Sequence, residues 1–219
     1  MQSGTYYHIY NRANGSENLF RKTENYRYFL RQWHKYISPV AVSLAYCLMP
    51  NHFHFLVRVR EEAELAAFFE ERSKNKRRNN YLSKGFKPLE RPRLGLERLD
   101  YNKLISRQFS HLFNSYAQAY NKMYNRRGSL FIPNFKKKAV TSEAYLPTVI
   151  AYIHLNPVHH GFTEAPDSWP HSSYTVVVED RWSFIDKAFL VEWFGGNKAF
   201  ADYHRQAKPE LQEIPWLPL

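Results

Sequence analysis

Polar and apolar positions along this chain recur in two periods, and the changes of period divide it into elements. Residues 5–12 are β-rich, Thr5-Tyr6-Tyr7-His8-Ile9-Tyr10-Asn11-Arg12, and stop at the turn signal Ala13-Asn14-Gly15-Ser16. Over residues 23–37 the period becomes helical. Tyr26, Phe29, Leu30, Trp33 and Ile37 recur at three- and four-residue steps, and Pro39 follows as a stop. Residues 40–49 predict a second strand, which the tight Pro50-Asn51 joins as a hairpin to a third over residues 52–60. In that third strand Phe53, Phe55, Val57 and Val59 fall on one face, apolar enough to lie on a core. His52, His54, Leu56, Arg58 and Arg60 fall on the other.

Beyond Arg60 the chain turns charged. Glu61-Glu62-Ala63-Glu64-Leu65 predicts a short helix, and residues 72–98 an exposed loop carrying Lys74, Lys76, Arg77 and Arg78, with two Gly and two Pro in its second half. Residues 101–125 form the longest helical run. Its predicted buried stripe is Leu104, Phe109, Leu112, Phe113, Tyr116, Tyr120 and Met123, closed by Gly128. Residues 129–138 read as an edge strand, since Pro133 would interrupt a central one. The order β-α-β-β-loop-α-β predicts an α+β fold: a ferredoxin-like (split βαβ) antiparallel sheet with helices on one face and a site on the other.

A further helix is expected from Glu143 to about Leu155, capped by Thr141 or Ser142, with Pro147 in its first turn and Asn156-Pro157 at its end. On it Tyr152 and Asn156 stand four apart, on the same side. His154 lies about 200° round the helix from Tyr152, so it faces away. On the third strand His52 and His54 point the same way, close enough to share one divalent cation; a wet edge strand with two incidental histidines fits the same pattern. If the helix faces that strand, two imidazoles, one amide oxygen and one phenol meet. A phenol titrates near pH ~10, so roughly one in a thousand is ionised at neutral pH. A nearby cation favours phenolate and polarises a phosphoryl oxygen. Mixed N/O ligation suits Mn²⁺ and tolerates Mg²⁺. Tyr116, Tyr120 and Tyr124, at i, i+4 and i+8, read as core and rim packing rather than nucleophiles.

Composition adds a partner. The 219 residues carry a net charge of +11, with sixteen Tyr, sixteen Phe and five Trp, which favours a polyanion and suits single strands whose bases stack on rings. The basic candidates for DNA contact are Arg58 and Arg60 beside the histidines, Lys74, Lys76, Arg77 and Arg78, then Arg126, Arg127, Lys136, Lys137 and Lys138. His159, beyond Pro157, is as well placed for a phosphate as for a metal. One cysteine excludes an internal disulfide, no run of 18 apolar residues exists, and the N-terminus lacks a signal-peptide layout, so a cytoplasmic location away from membranes is expected.

Pro50-Asn51-His52-Phe53-His54-Phe55 resembles the HUH motif (His, a hydrophobic residue, His) of single-tyrosine transposases of insertion sequences. Tyr152-Ile153-His154-Leu155-Asn156-Pro157-Val158-His159-His160-Gly161 resembles their nucleophile helix, in the form found in REP-associated tyrosine transposases. The likeness runs from about Tyr6 to Tyr174. It implies that His52, His54 and Asn156 hold a divalent metal, Mg²⁺ or Mn²⁺. It implies too that Tyr152 forms a 5′-phosphotyrosine link to single-stranded DNA presented as a hairpin or REP-like sequence. The resemblance places an HUH catalytic domain at residues 1–162, with a basic insertion at about 72–100, and a C-terminal extension packed on it at 163–219. It is compatible with a monomer or a homodimer. A replication initiator or relaxase of the same chemistry, a catalytically silent DNA-binding relative, and a metal-dependent hydrolase using HxH without Tyr152 are the competing readings.

Overall fold

The computed structural model describes residues 1–84 and 100–207, with residues 76–84 described by backbone alone. In chain order its strands and α-helices are β1 (Tyr6–Arg12), α1 (Thr23–Tyr36), β2 (Ala41–Leu48), β3 (His52–Val59), α2 (Glu62–Lys84), α3 (Tyr101–Met123), β4 (Lys136–Val140), α4 (Leu146–His159), α5 (Tyr174–Val178), α6 (Lys187–Phe194) and α7 (Asn197–Ala207). Among the described residues the strands form one four-stranded sheet in the order β2-β3-β1-β4, antiparallel throughout. This is the α+β, split βαβ arrangement that the alternating and helical periods predict.

The apolar face of β3 explains the first layer. Phe53 and Phe55 point at α1 and α3, where Trp33 stacks on Phe55 with ring centroids 3.5 Å apart and Phe29 meets Phe53 at 5.1 Å. Phe109 and Phe113 of α3 close the same cluster. The Trp33 indole, fully buried, donates to Ser43 Oγ at 3.0 Å, so burial of the large ring leaves no orphaned N–H.

The second face is not left open. Helix α4 packs on β2 and β3, and α5 and α7 pack behind it. Residues 149–157 of α4 are buried without interruption, as a helix sandwiched between two layers requires. Segments after α4 also bond to the outer edge of β2. Leu48 N–H donates to His171 O, Ser173 N–H to Tyr46 O and Asp186 N–H to Ser43 O, each at 2.9 Å. These bonds cap an edge that would otherwise expose unpaired peptide groups.

Four local expectations are corrected. The basic run containing Lys74, Lys76, Arg77 and Arg78 lies on α2, not in a loop, because residues 62–84 hold no Gly or Pro and Lys and Arg propagate a helix well. The rest of that expected loop, residues 85–99, lies outside the described residues. In α3 the middle of the expected stripe, Phe109, Leu112, Tyr116 and Tyr120, is buried, but its ends differ: Ile105 is buried where Leu104 is half-buried, and Met123 is 59% exposed at the helix end. The edge strand begins only at Lys136. Pro133 supplies no N–H and Asn134 sits at φ 62°, so the stretch before it manages a single bridge, Phe131 to Ala13. Finally, α4 continues through Pro157 to His159. Proline here removes one donor in the last turn, and His160 N–H to Asn156 O and Phe162 N–H to Pro157 O complete the turn.

Candidate active site

The site is a corner where the start of β3, the middle of β1 and the end of α4 meet. The turn at Pro50-Asn51 sets His52 as the first residue of β3, and the pleat then puts His54 on the same face. In the register of β1 with β3, Tyr10 lies opposite His54 and Arg12 opposite His52. Helix α4 crosses above, with Tyr152 wholly buried and its ring edge-on to His54 at 5.7 Å and to His8 at 5.9 Å. Asn156, one turn on, brings Oδ1 to 2.9 Å from His52 Nε2. Tyr152, His52, His54 and Asn156, drawn from residues a hundred apart, thus converge.

The hydrogen bonds around the imidazoles decide which ring nitrogens are available. His54 Nδ1 lies 3.0 Å from His8 Nε2, which leaves His54 Nε2 as the nitrogen for a ligand. His52 Nδ1 lies 2.7 Å from Asn51 Oδ1. In one tautomer His52 Nε2–H donates to Asn156 Oδ1. In the other, Nδ1–H donates to Asn51, and Nε2 and Asn156 Oδ1 present lone pairs to a common point. Two neighbouring ligands of an octahedral cation with bonds of ~2.1 Å stand ~3 Å apart, close to the spacing seen. Among the described residues buried His8 Nδ1 has no hydrogen-bond partner, and Asn156 also meets the Tyr152 phenol. Neutral imidazole nitrogens beside an amide oxygen are lone-pair donors of the kind a divalent cation takes. The residues therefore fit a divalent cation, though sparsely. Among the described residues no three of His, Cys, Asp and Glu gather into a ligand cluster, so solvent or phosphate oxygens would complete the shell.

Electrostatics favours neutral imidazoles. Burial lowers His8 to about 3 and His52 to about 4, the latter opposed by the bond to Asn156 and reinforced by His160 and Arg12. Burial also holds His54 well below its ordinary value, with His8, His52 and His160 adding to it. A neutral imidazole is the ligand form. The Tyr152 phenol is pushed up by burial, partly opposed by Asn156 beside it, so at neutral pH it is protonated and needs help to attack.

Burial of His8, His54, His154 and His204 also yields a stability prediction. All four are held neutral in the folded protein, whereas in the unfolded chain they protonate below pH ~6.5. The unfolded state binds more protons in acid, so stability is level above pH ~6.5 and falls as the pH drops below it. The fall continues until the folded groups take up protons, at about 4 for His204 and about 3 for His8. For His204 alone the full loss is roughly 3 kcal/mol. Melting temperatures followed from pH 7.5 to 4.5 should fall steadily below pH 6.5; a flat profile contradicts neutral burial.

The basic candidates separate by position. Lys136 and Lys138 are exposed on β4 and pair in register with Tyr10 and His8, so they flank the corner on its own face; Lys137 turns to the opposite face. Arg58 is four residues beyond His54, about 13 Å along the strand, and lies 3.9 Å from Glu61. Arg60 is engaged by Glu64 at 2.6 Å and by Ser38 O. Exposed Lys74 lies on α2, and the side chains of Lys76, Arg77 and Arg78 are outside the described residues. Arg126 is committed internally, to Glu17 at 2.8 Å and to Ser129 O, closing the loop after α3, while Arg127 is exposed. His159 places its ring 6.2 Å from Tyr152 with both ring nitrogens buried. As expected, His154 faces away from the corner, towards α7.

Four residues at the corner escape the reading of single segments: His8, Tyr10, Arg12 and His160. His160 sits with its ring 5.1 Å from that of His52, just past the end of α4. The alternation of β1 puts Tyr6, His8, Tyr10 and Arg12 on one face, a legible signal, but the register that sets that face against His52 and His54 is not local.

No protein-family model and no curated protein matches this chain. Among solved structures it is similar to a REP-associated tyrosine transposase bound to a REP hairpin, at 17% sequence identity, 84% coverage of this chain, 85% of that one, and a TM-score of 0.48.

Proposed function

We propose that this protein is a single-strand DNA nuclease and strand transferase of the tyrosine HUH type, cutting hairpin-bearing or REP-like DNA as a transposase does. One observation carries the reading: Tyr152, His52, His54 and Asn156 meet at one buried corner, with the phenol edge-on to His54 and the amide oxygen at 2.9 Å from His52. A hydrolase using HxH alone has no use for a tyrosine fixed there.

In this reading Tyr152 Oη attacks a phosphodiester phosphorus. An O–P bond to tyrosine forms, the bond to the 3′-oxygen breaks, the phenol gives its proton to solvent and the leaving 3′-oxygen takes one from it. The products are a 5′-phosphotyrosine and a free 3′-hydroxyl. The ester energy is retained, so the reverse attack by a 3′-hydroxyl rejoins strands without ATP. His52, His54 and Asn156 would hold a divalent cation, Mg²⁺ or Mn²⁺, which when bound would supply Lewis-acid stabilisation of the phosphoryl oxygens. The protein's part is orientation: His8 fixes the His54 ring, Asn51 fixes His52, and α4 delivers Tyr152 and Asn156 together. The exposed lysines of β4 supply positive charge on the same face, a track for the phosphate backbone.

The test is a denaturing gel. A hairpin selected for binding from a randomised single-stranded pool is end-labelled and incubated with protein and Mn²⁺. Label that migrates with the protein after denaturation supports the reading. Binding alone points to a silent relative, and cleavage without adduct to a hydrolase.

The selected hairpin should also bind with a steep salt dependence, as expected for a chain of net charge +11 with lysines beside the site. Each neutralised phosphate of a single strand contributes about −0.7 to the slope of log affinity against log salt, so four contacts give roughly −3. Lys136→Ala together with Lys138→Ala should reduce that slope by about 1.4. A slope near zero, or one unchanged in the double variant, removes β4 from the DNA path.

A further inference from the structure

Beyond the corner, the described residues hold a second buried polar chain, and it ties the C-terminal extension to the nucleophile helix. Tyr46 N–H of β2 donates to Ser173 Oγ at 2.8 Å; Ser173 Oγ lies 2.7 Å from His154 Nε2; His154 Nδ1 lies 2.9 Å from His204 Nε2; His204 Nδ1 lies 2.7 Å from Phe200 O. Ser173, His154 and His204 are all fully buried.

The proton positions follow from the last link. A carbonyl only accepts, so His204 Nδ1 carries the hydrogen and, being neutral, presents Nε2 as an acceptor. His154 Nδ1–H must then donate to it, which makes His154 Nε2 an acceptor for the Ser173 hydroxyl. Ser173 Oγ in turn accepts from Tyr46. One direction of donation satisfies every member, from the β2 backbone through α4 to α7.

His154 lies midway between Tyr152 and Asn156 in sequence and on the opposite side of α4. Close packing on both sides already restrains α4, and the hydrogen bonds from two sides at His154 add directional restraints on its rotation. A roll of ~10° moves a group ~6 Å from the helix axis by ~1 Å. A misplacement of ~1 Å costs on the order of 100-fold in a reaction that depends on alignment.

We propose that His204 of α7 is a positioning residue: by accepting from His154 it sets the rotation of α4 and so the placing of Tyr152 and Asn156. The C-terminal extension is therefore part of the working site, though neither Ser173 nor His204 touches the reacting atoms. The inference rests on the tyrosine-nuclease reading above.

Two near-isosteric variants separate the bond to His154 from everything else His204 does. His204→Gln can place Oε1 where Nε2 stands, keeping the acceptor for His154 and giving up the bond to Phe200 O. His204→Asn can place its amide where Nδ1 stands, keeping Phe200 and giving up His154. With the selected hairpin and Mn²⁺, His204→Asn should lower kcat for adduct formation about 10- to 100-fold with KM unchanged, and His204→Gln should stay within about threefold of wild type. A role in packing or helix stability alone, where Asn leaves the larger cavity and is the weaker helix former, would lower the melting temperature of His204→Asn below that of His204→Gln while leaving kcat of the folded protein unchanged. Equal variants, a milder Asn, or two variants like wild type overturn the proposal. If His204→Asn does not fold by circular dichroism, Ser173→Ala takes its place, since it removes the donor on the other side of His154. It should show the same fall in kcat at unchanged KM, and wild-type kinetics in Ser173→Ala likewise overturn the proposal. Absence of any adduct with wild-type protein sinks the nuclease reading instead, so the two failures are distinguishable.

Discussion

Tyr152→Phe should bind the selected hairpin as wild type does and form no covalent adduct. The phenyl ring keeps its place, edge-on to His54 and His8 and wholly buried, because those contacts involve ring carbons and not the hydroxyl. What disappears is the one atom that can become the ester oxygen. Removing a nucleophile from a preorganised site lowers turnover by on the order of a millionfold, which takes adduct formation below detection. The buried tyrosines of α3 offer no substitute. Tyr116 and Tyr120 donate their hydroxyls to Leu19 O and Asn18 O, on the side of the sheet that carries α1 and α3, and burial pushes both phenols up. Adduct persisting in Tyr152→Phe, mapped by peptide mass to another tyrosine, would take the nucleophile's role from Tyr152, and mapped to a tyrosine of α3 it would mean that the corner is not where the chemistry happens.

The second large effect concerns the cation. Asn156→Ala should weaken divalent-metal binding about 10- to 100-fold and reduce cleavage with it, while excess Mn²⁺ restores part of the rate. His54→Ala should lose more and recover less. The difference comes from their surroundings. Asn156 contributes one amide oxygen, and a water can occupy the space that its truncation leaves. His54 is buried against His8, and its loss leaves His8 Nε2 facing a cavity with its other nitrogen already orphaned. Calorimetry or Mn²⁺ electron paramagnetic resonance with each variant reads affinity without DNA or turnover. EDTA should stop cleavage and spare most of the binding. Cleavage that survives EDTA, or Mn²⁺ affinity unchanged in Asn156→Ala, removes the amide from the ligand set.

Much of the site is written in short stretches. The alternation of β3 places His52 and His54 on one face whatever the fold, because the strand period is two. The four-residue step from Tyr152 to Asn156 places phenol and amide on one side of α4, because the helix period is 3.6. Those local geometries suffice to match the histidine face of the strand with the phenol and amide side of the helix. The order of elements likewise constrains the sheet, since antiparallel strands with two helical crossovers have few ways to assemble. Local propensity also set limits that were harder to read. The basic run at 72–84 reads as a loop by its charge, yet without Gly or Pro nothing stops the helix.

What local patterns determine about this protein is thus the fold class, the face on which each functional side chain stands, and the identity of the meeting groups. What only the tertiary structure decides is who stands behind them. His8 becomes the support of His54 through the register of β1 on β3, and Lys136 and Lys138 reach the corner through the register of β4 on β1. His204 reaches His154 because α7 folds back behind α4, fifty residues away in sequence. Strand register and helix docking are set by the summed packing of both sheet faces, and a shift of one residue would turn every one of these side chains away. No window of sequence holds that sum, and it is there that the roles of these residues are determined.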